Sequence, residues 1–223
     1  MVFGPIMRVP VGDLTIELAP LTRDCMEAFI ENGGMQSHTV TRFLGRRSAP
    51  TLENEIEWYE KVSADAHVFS WGIWVIDGDD RIVIGTSGLH DEQDWALNIW
   101  SSGSMIFRPD FWGRGIGTRC HMARTWFAFN QMRLDVIRSS ALVLNGRSLG
   151  ALKRCGYEQV GLRRNARFVD GHFVHEALLE CVNPTPLSWR QWWQDERVPR
   201  AFQQARTRTL AACAWADQNV TLL

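Results

Sequence analysis

The chain has 223 residues, 45% of them hydrophobic, and its 24 basic and 25 acidic side chains leave a formal net charge of -1. This length suits one substantial core with an appendage, and the interspersed charges argue against a nucleic-acid or a membrane partner. No apolar stretch reaches the roughly 20 residues of a spanning helix, and residues 1–13 lack the apolar segment of a signal peptide. We therefore expect a cytoplasmic protein.

The first half of the chain predicts two helices and a β-hairpin. Residues 14–18 alternate apolar and polar side chains as a strand does, and Thr22 then caps a helix. Thr51 opens a second helix, whose first turn is acidic. Residues 67–76 and 81–89 are rich in Val, Ile, Phe and Trp and are joined by the turn sequence Asp-Gly-Asp-Asp, so they are predicted to form a hairpin.

The second half alternates strands and helices. Residues 95–107 are predicted to form a strand in which the Ser-Ser-Gly-Ser sequence at 101–104 produces a β-bulge. The next predicted elements are a helix with Ile116, Cys120, Ala123 and Phe127 on one face, a buried strand at 134–144, a short helix at 148–154, and a hairpin of residues 160–169 and 172–182.

Two prolines, Pro184 and Pro186, separate a main domain of residues 1–183 from a C-terminal helical extension of residues 184–223. Ser188 and the Gln three positions later predict a capping box at its first helix. Its large apolar side chains cannot bury themselves within two short helices, so we expect them to pack on another surface. They are Trp189, Trp192, Trp193, Phe202 and Trp215.

Two surfaces are open to this extension. It either covers the acceptor side of the protein's own sheet as a lid, or joins a second copy of the chain. We prefer the homodimer, because closed two-fold dimers are the commonest oligomers and apolar surfaces are typical of their interfaces. The cysteines are odd in number and far apart, which predicts free and mostly buried thiols: Cys25, Cys120, Cys155, Cys181 and Cys213.

A glycine-rich loop lies between the strand ending at Phe107 and the following helix. Gly113, Gly115 and Gly117 allow backbone N–H groups to turn toward one point, where the positive end of the helix favours an anion. Arg114 adds a charged donor for a phosphate oxygen. The Walker motif is excluded because Thr-Arg follows the last glycine, and the dinucleotide fingerprint because the spacing is G-x-G-x-G.

The sequence Pro-Asp-Phe-Trp-Gly-Arg-Gly-Ile-Gly-Thr at 109–118 resembles the cofactor motif of the GNAT superfamily, written Q/R-x-x-G-x-G/A. With Trp in its first position, the motif is similar to that of the branch containing RimJ/RimL-type enzymes, which acetylate N-terminal amines of ribosomal proteins. Four further segments look like that branch, in the same order and spacing: 41–45, 51–60, 84–90 and 145–157. The resemblance extends over residues 13–182.

The resemblance implies an α/β (α+β) GNAT fold, with a central mixed, mostly antiparallel sheet flanked by helices. The strand ending at Phe107 would splay from the strand at 134–144 and open a wedge for the pantetheine arm of acetyl-CoA. Backbone groups of the first strand would pair with that arm, and one N–H would face the thioester oxygen. Asn145 would bond the arm from the other side, or cap a helix. The implied cofactor-binding residues are Met105, Ile106, Phe107, Trp112, Gly113, Arg114, Gly115, Ile116, Gly117, Thr118, Asn145 and Ser148.

The implied reaction transfers an acetyl group from acetyl-CoA to a primary amine, on a protein N-terminus or a small molecule, by direct attack through a tetrahedral intermediate. A proton must reach the departing thiolate. Many superfamily members use a Tyr seven residues after the Asn, but Leu152 stands there. The RimJ/RimL-like branch points to Ser148 as the donor, directly or through a water. The alternative is a serine that caps the helix.

The general base is less well defined, because Ser-Ser at 101–102 replaces the Glu that the branch commonly has. His90 is a candidate for its suitable pKa, and Glu92 is a candidate acting through a water. Asp91 and Asp94 lie nearby, and the alternative is that all four are loop residues in solvent. His175 is a candidate for lining the acceptor site or a surface histidine. No residue pattern predicts a metal site.

A rival interpretation is a non-catalytic acyl-CoA-binding GNAT module that acts as a sensor or scaffold, since the usual Tyr and Glu are missing. A second rival is an enzyme with a longer acyl donor. The acceptor amine is not specified by the fold.

Overall fold

The computed structural model describes residues 3–44, 48–93, 98–194 and 196–223. Its strands are β1 Met7–Val11, β2 Leu14–Ala19, β3 Val68–Asp77, β4 Asp80–Asp91, β5 Ile99–Ile106, β6 Val136–Leu142, β7 Glu158–Val169, β8 His172–Val182 and β9 Thr221–Leu222. Its α-helices are α1 His38–Thr41, α2 Leu52–Ala64, α3 Ile116–Asn130, α4 Gly146–Arg154, α5 Pro186–Trp193 and α6 Arg200–Asn219. Short 3-10 helices span Arg23–Phe29, Glu31–Gly33 and Pro109–Phe111.

All nine described strands belong to one sheet in the order β7-β8-β6-β5-β4-β3-β2-β1-β9. Among the described strands, β5 and β6 are the one parallel pair, and every other pair is antiparallel. The predicted mixed, mostly antiparallel sheet flanked by helices is therefore confirmed. Both predicted hairpins are confirmed as well, with β3 paired to β4 and β7 to β8.

The parallel pair opens into a wedge. Its pairing runs from Ile99 opposite Val136 to Ser102 opposite Ser139 and stops there, while β5 continues to Ile106. The predicted bulge at 101–104 is wrong, because β5 pairs with β4 without a register shift through these residues. The wedge forms because β5 and β6 separate after Ser102. The Ser and Gly residues at 101–104 are accommodated within a regular strand.

Two strands were not predicted from the sequence. β1 pairs with β2 along its whole length and also with the two-residue β9, which comes from the C-terminal end of the chain. β1 contains Pro10, which weakens a sequence-based strand prediction, and β9 is too short to give a periodic signal.

The helices cover both faces of the sheet. The predicted face of α3 is buried as expected, at Ile116, Cys120, Ala123 and Phe127. Thr51 caps α2 by accepting a hydrogen bond from the Asn54 N–H. None of the described helices is long and apolar enough to cross a membrane. The five cysteines are free, and Cys120, Cys155 and Cys181 are buried, as predicted.

The C-terminal extension differs from the prediction in how it begins. α5 starts at Pro186, with Thr185 as its N-cap, so the capping box expected at Ser188 is wrong. Proline at the first helical position has the dihedral angle that a helix needs and loses no hydrogen bond there, which places the start three residues earlier.

The aromatic side chains of the extension pack within the chain. Trp189, Trp192 and Phe202 lie against a small cluster formed by Ile99, Val136 and Val182. Trp215 joins the main core, where the buried Ala216 of α6 also lies. The premise that these side chains need a lid or a dimer interface is therefore wrong, and the homodimer stays a prediction without their support.

Candidate active site

A cavity of about 880 Å³ opens where β5 and β6 separate. One wall is β5 with the loop that follows it, and the other is the end of β6 with the start of α4. The N-terminal residues of α3 and residues of α1 and α2 also line it. Among the described residues, none of 184–223 lines it, so the extension does not form a lid.

The glycine-rich loop forms the end of the cavity at α3. Gly113 and Gly115 have positive φ angles of 79° and 84°, a conformation that side chains disfavour. The first helical hydrogen bond of α3 runs from the Arg119 N–H to the Gly115 carbonyl at 3.1 Å. The N–H groups of residues 116–118 precede it and have no partner within the helix. They are thus oriented to bind an anion at the positive end of the helix.

The space beside this loop is open. A Cβ atom built on Gly113 would meet nothing within 4 Å, and one on Gly117 would touch only Ile106 Cδ1, at 4.0 Å. The Trp112 indole donates a hydrogen bond to the Ile106 carbonyl at 2.8 Å, which ties the loop to the end of β5. Arg114 does not line the cavity, because its guanidinium lies over the Phe111 ring, 5.2 Å from the centroid.

Two arginines that were not predicted lie at this end instead. Arg147 and Arg154 line the cavity from α4, and Arg154 donates a hydrogen bond to Thr118 Oγ1 at 3.4 Å. Their separation of seven residues, two helical turns, places them on one face of α4. That spacing was a signal in the sequence that the prediction did not use.

The backbone of β5 presents alternate residues to the wedge. Phe107 donates its N–H to the Ile84 carbonyl of β4 at 2.9 Å. Because backbone groups alternate in direction along a strand, Met105 also faces β4, whereas Ile106 and Ser104 face the gap. Of the three residues expected to offer backbone groups to the pantetheine arm, only Ile106 therefore directs them into the wedge, and Ser104 was missed.

The other wall carries Asn145 and Ser148. The Asn145 side chain caps α4 by accepting a hydrogen bond from the Ser148 N–H at 3.1 Å. Both residues line the cavity. Within the part of the chain that the structure describes, the Ser148 hydroxyl makes no hydrogen bond. Leu152, at the position of the usual Tyr, is buried in the core.

The part of the cavity wall that residues 29–62 form is largely apolar. Its described lining includes Phe29, Met35, Val40, Phe43, Leu44, Trp58 and Val62. Glu55 of α2, 4% exposed, supplies the one acidic side chain among the described lining residues. Outside this lining, Asp170 in the β7–β8 turn bonds His38 Nε2 at 2.7 Å and Arg42, which connects the hairpin to α1.

The candidate bases are placed differently from one another. His90 lines the cavity, and its partial burial, together with the charge of Arg124, lowers its pKa from the usual 6.5. Glu92 does not line it, because its carboxylate forms an ion pair with Arg138 at 2.7 Å. His175 lies outside as well, with Nδ1 accepting the Asn165 N–H. Asp94 lies outside the described residues.

A buried polar cluster beneath β5 was not predicted. Arg124 of α3 is fully buried and donates hydrogen bonds to Ser87 Oγ at 3.0 Å, the Gly103 carbonyl at 2.8 Å and His121 Nδ1 at 2.9 Å. Ser87, Gly103 and His121 line the cavity. Burial, reinforced by the charge of Arg124, holds the pKa of His121 well below 6.5.

Comparison with known proteins identifies the family. No curated protein sequence matches the chain. The fold is similar to Mycobacterium smegmatis RimJ in complex with CoA-disulfide, with a TM-score of 0.67 and 18% identity over 99% of this chain and 96% of that one. It is also similar to Vibrio cholerae spermidine N-acetyltransferase in complex with CoA and spermine, with a TM-score of 0.63 and 18% identity over 76% of this chain and 95% of that one.

A third similar structure is ribosomal-protein-S5-alanine acetyltransferase from Vibrio fischeri, with a TM-score of 0.63 and 15% identity over 86% of this chain and 99% of that one. At such identities the likeness shows the fold alone. The model of the acetyltransferase (GNAT) domain matches residues 15–158, more than half of the chain. The chain therefore belongs to the GNAT acetyltransferase family.

Proposed function

We propose that this protein is a RimJ/RimL-like N-acetyltransferase that transfers an acetyl group from acetyl-CoA to a primary amine. The observation that carries the proposal is the wedge itself. The N–H groups at 116–118, which have no partner within α3, line it, and the hydroxyl of Ser148, which bonds to none of the described residues, lies on its wall. An anion site and a proton donor in one cleft are what an acyl-CoA-dependent transfer needs.

The lining of the cavity fits coenzyme A. The N–H groups of residues 116–118 would bind the diphosphate, and Arg147 and Arg154 would pair with phosphate oxygens. The backbone of Ile106 and Ser104 would bond the pantetheine amides from one side, with Asn145 on the other. When bound, acetyl-CoA supplies a thioester carbon for attack by the amine.

The chain's own residues would manage the protons. The amine nitrogen forms a bond to the thioester carbon, the carbon–sulfur bond breaks, and a proton must leave nitrogen while another reaches sulfur. His90 would accept the first, since its lowered pKa keeps the ring neutral at pH 7. Ser148 would supply the second, directly or through a water.

The apolar part of the cavity wall favours an apolar acceptor. Its described lining is aromatic and aliphatic around one carboxylate, that of Glu55. A polyamine carries several charges that an apolar wall would leave without partners. We therefore propose a peptide N-terminus with an apolar first side chain, or an apolar small-molecule amine, as the acceptor.

A screen for coenzyme A release tests this proposal. The parent protein is incubated with acetyl-CoA and one of four amine classes: peptides with free N-termini, polyamines, amino acids and aminoglycosides. We expect release with apolar peptide N-termini and none with the same peptides after N-acetylation. Polyamines as the best acceptors would overturn the proposed acceptor class. Tight acetyl-CoA binding without release in any class would instead favour a non-catalytic acyl-CoA-binding module.

A further inference from the structure

Arg124 is a buried arginine without an acidic partner. Its side chain is fully buried, and among the described residues no carboxylate lies within ion-pair distance of it. Its Nε atom also has no hydrogen-bond partner in the part of the chain that the structure describes. A buried, unpaired charge opposes folding, so its presence beside a cavity calls for an explanation other than stability.

The hydrogen bond from Arg124 fixes the proton of His121. A guanidinium has only donors, so the His121 Nδ1 that it contacts at 2.9 Å must be the acceptor. Burial and the charge of Arg124 keep the pKa of His121 well below 6.5, so at neutral pH the ring is uncharged. A neutral imidazole whose Nδ1 lone pair accepts a hydrogen bond carries its one proton on Nε2.

This arrangement excludes His121 as a general base. Accepting a proton would create a second buried cation beside Arg124, and the other tautomer would set two donors against each other. What remains is a hydrogen-bond donor, Nε2–H, on a residue that lines the cavity. Nε2 makes no hydrogen bond to any described residue.

The position of the cluster suits the reacting end of the wedge. The Arg124 contacts reach Gly103, the residue directly after the last β5–β6 pair at Ser102. The glycine-rich loop is tied to Ile106, three residues further, about 10 Å along the strand. A molecule with its phosphates at the loop would therefore extend its other end toward Gly103 and His121.

Resting on the function proposed above, we propose that His121 donates a hydrogen bond from Nε2 to the thioester oxygen, which becomes negative as the amine attacks. Arg124 is the positioning residue that fixes the tautomer. Donors aimed at such an oxygen lower the barrier because they need no reorientation as charge develops. No proton is transferred in this contact.

The first test measures the tautomer and does not require turnover. NMR spectra of protein labelled with 15N-histidine are recorded from pH 5.5 to 8.5, and the His121 signals are assigned with His121→Gln. We expect a neutral ring protonated at Nε2 throughout, and a shift of the Nε2 signal when acetyl-CoA is added. A ring protonated at Nδ1, or charged at pH 7, would overturn the proposal.

The second test separates a donor from a packing residue. His121→Leu removes the donor, whereas His121→Gln keeps an N–H group in a similar volume. We expect kcat to fall on the order of a hundredfold with Leu and clearly less with Gln. The Kd of acetyl-CoA should change little in both. If both variants have the same kcat as the parent protein, the proposal is wrong.

Arg124→Met tests the positioning role by keeping the side-chain volume and removing the donors. We expect a mixture of His121 tautomers in the NMR spectrum and a lower kcat. A single Nε2–H tautomer in this variant would show that Arg124 does not fix the ring. If the parent releases no coenzyme A with any amine, the proposed function fails, while the tautomer and its response to acetyl-CoA still decide the His121 assignment.

Discussion

Asn145 accepts a hydrogen bond at its side-chain oxygen from the backbone N–H of Ser148, at 3.1 Å. Asn145 therefore caps α4, and the Ser148 hydroxyl, on the wall of the cavity, bonds to none of the residues that the structure describes. The sequence left open whether the Ser148 hydroxyl caps the helix or donates a proton. The cap uses the Asn145 oxygen and the backbone N–H of Ser148, so it does not require the Ser148 hydroxyl.

Ser148→Ala is expected to lower kcat on the order of a hundredfold, because the departing thiolate loses its proton donor. The Kd of acetyl-CoA should stay within about threefold, since a donor of this kind acts mainly in the transition state. Single-turnover kinetics and calorimetric titration measure the two quantities. An unchanged rate where chemistry is rate-limiting would assign Ser148 to structure.

The glycine-rich loop gives a second prediction. Gly117 has room for a side chain, since a Cβ atom there would meet only Ile106 Cδ1 at 4.0 Å. Gly117→Val would therefore leave the fold intact while filling the space proposed for the diphosphate. We expect acetyl-CoA affinity to fall on the order of a hundredfold, so that the ligand no longer raises Tm.

Gly78→Ala, in the β3–β4 turn and away from the cavity, serves as the control. Its positive φ of 62° makes it the more strained substitution, yet it should bind acetyl-CoA like the parent. Parental affinity in Gly117→Val would show that the loop does not hold the phosphates.

The sequence predicted the features of this site that depend on neighbouring residues, and it missed those that depend on contacts between distant parts of the chain. The loop and the hairpins were predictable because turn residues and periodicity act over a few positions. The Arg124 cluster was not, because it joins α3 to Ser87 on β4 and Gly103 on β5, far apart in the chain. Nor does sequence reveal which β5 residues face the wedge, since that depends on the register with β4.

The close approach of α6 to Gly156 gives a third prediction. A Cβ atom on Gly156 would lie 1.9 Å from Thr209 Oγ1 and 2.7 Å from the Ala205 carbonyl oxygen, and φ is +91°. Gly171, in the β7–β8 turn, has a similar φ of +79° with nothing within 4 Å. The pair separates backbone strain from the packing of the extension.

Alanine at either position should cost about 1–2 kcal/mol of unfolding free energy through the left-handed backbone. Gly156→Ala should lose about 1–3 kcal/mol more, because α6 must move. Urea unfolding of the two variants measures the difference. Equal losses would mean that the extension is not packed on Gly156 in solution.

Truncation after Asn183 would expose this surface, and we expect the shortened protein to be poorly soluble.

The buried histidine gives the last prediction, on the pH dependence of stability. The pKa of His121 is held well below its ordinary 6.5 in the folded protein. Below pH 6.5 the unfolded chain therefore binds a proton that the folded chain does not, so the free energy of unfolding falls as the pH falls. The limit is about 1.4 kcal/mol per pH unit for one group. Above pH 6.5 both states are neutral at this residue and its contribution is constant.

Urea unfolding at pH 7.5, 6.5 and 5.5 checks this dependence, with His121→Gln beside the parent. The variant lacks the titrating ring, so its loss of stability between pH 6.5 and 5.5 should be smaller by up to about 1 kcal/mol. His172→Gln, on the exposed first residue of β8, is the matched control and should follow the parent. If His121→Gln and the parent lose the same stability over this interval, His121 takes up a proton in the folded protein as readily as in the unfolded chain. The neutral, Nε2-protonated ring assigned to the cavity wall would then be wrong.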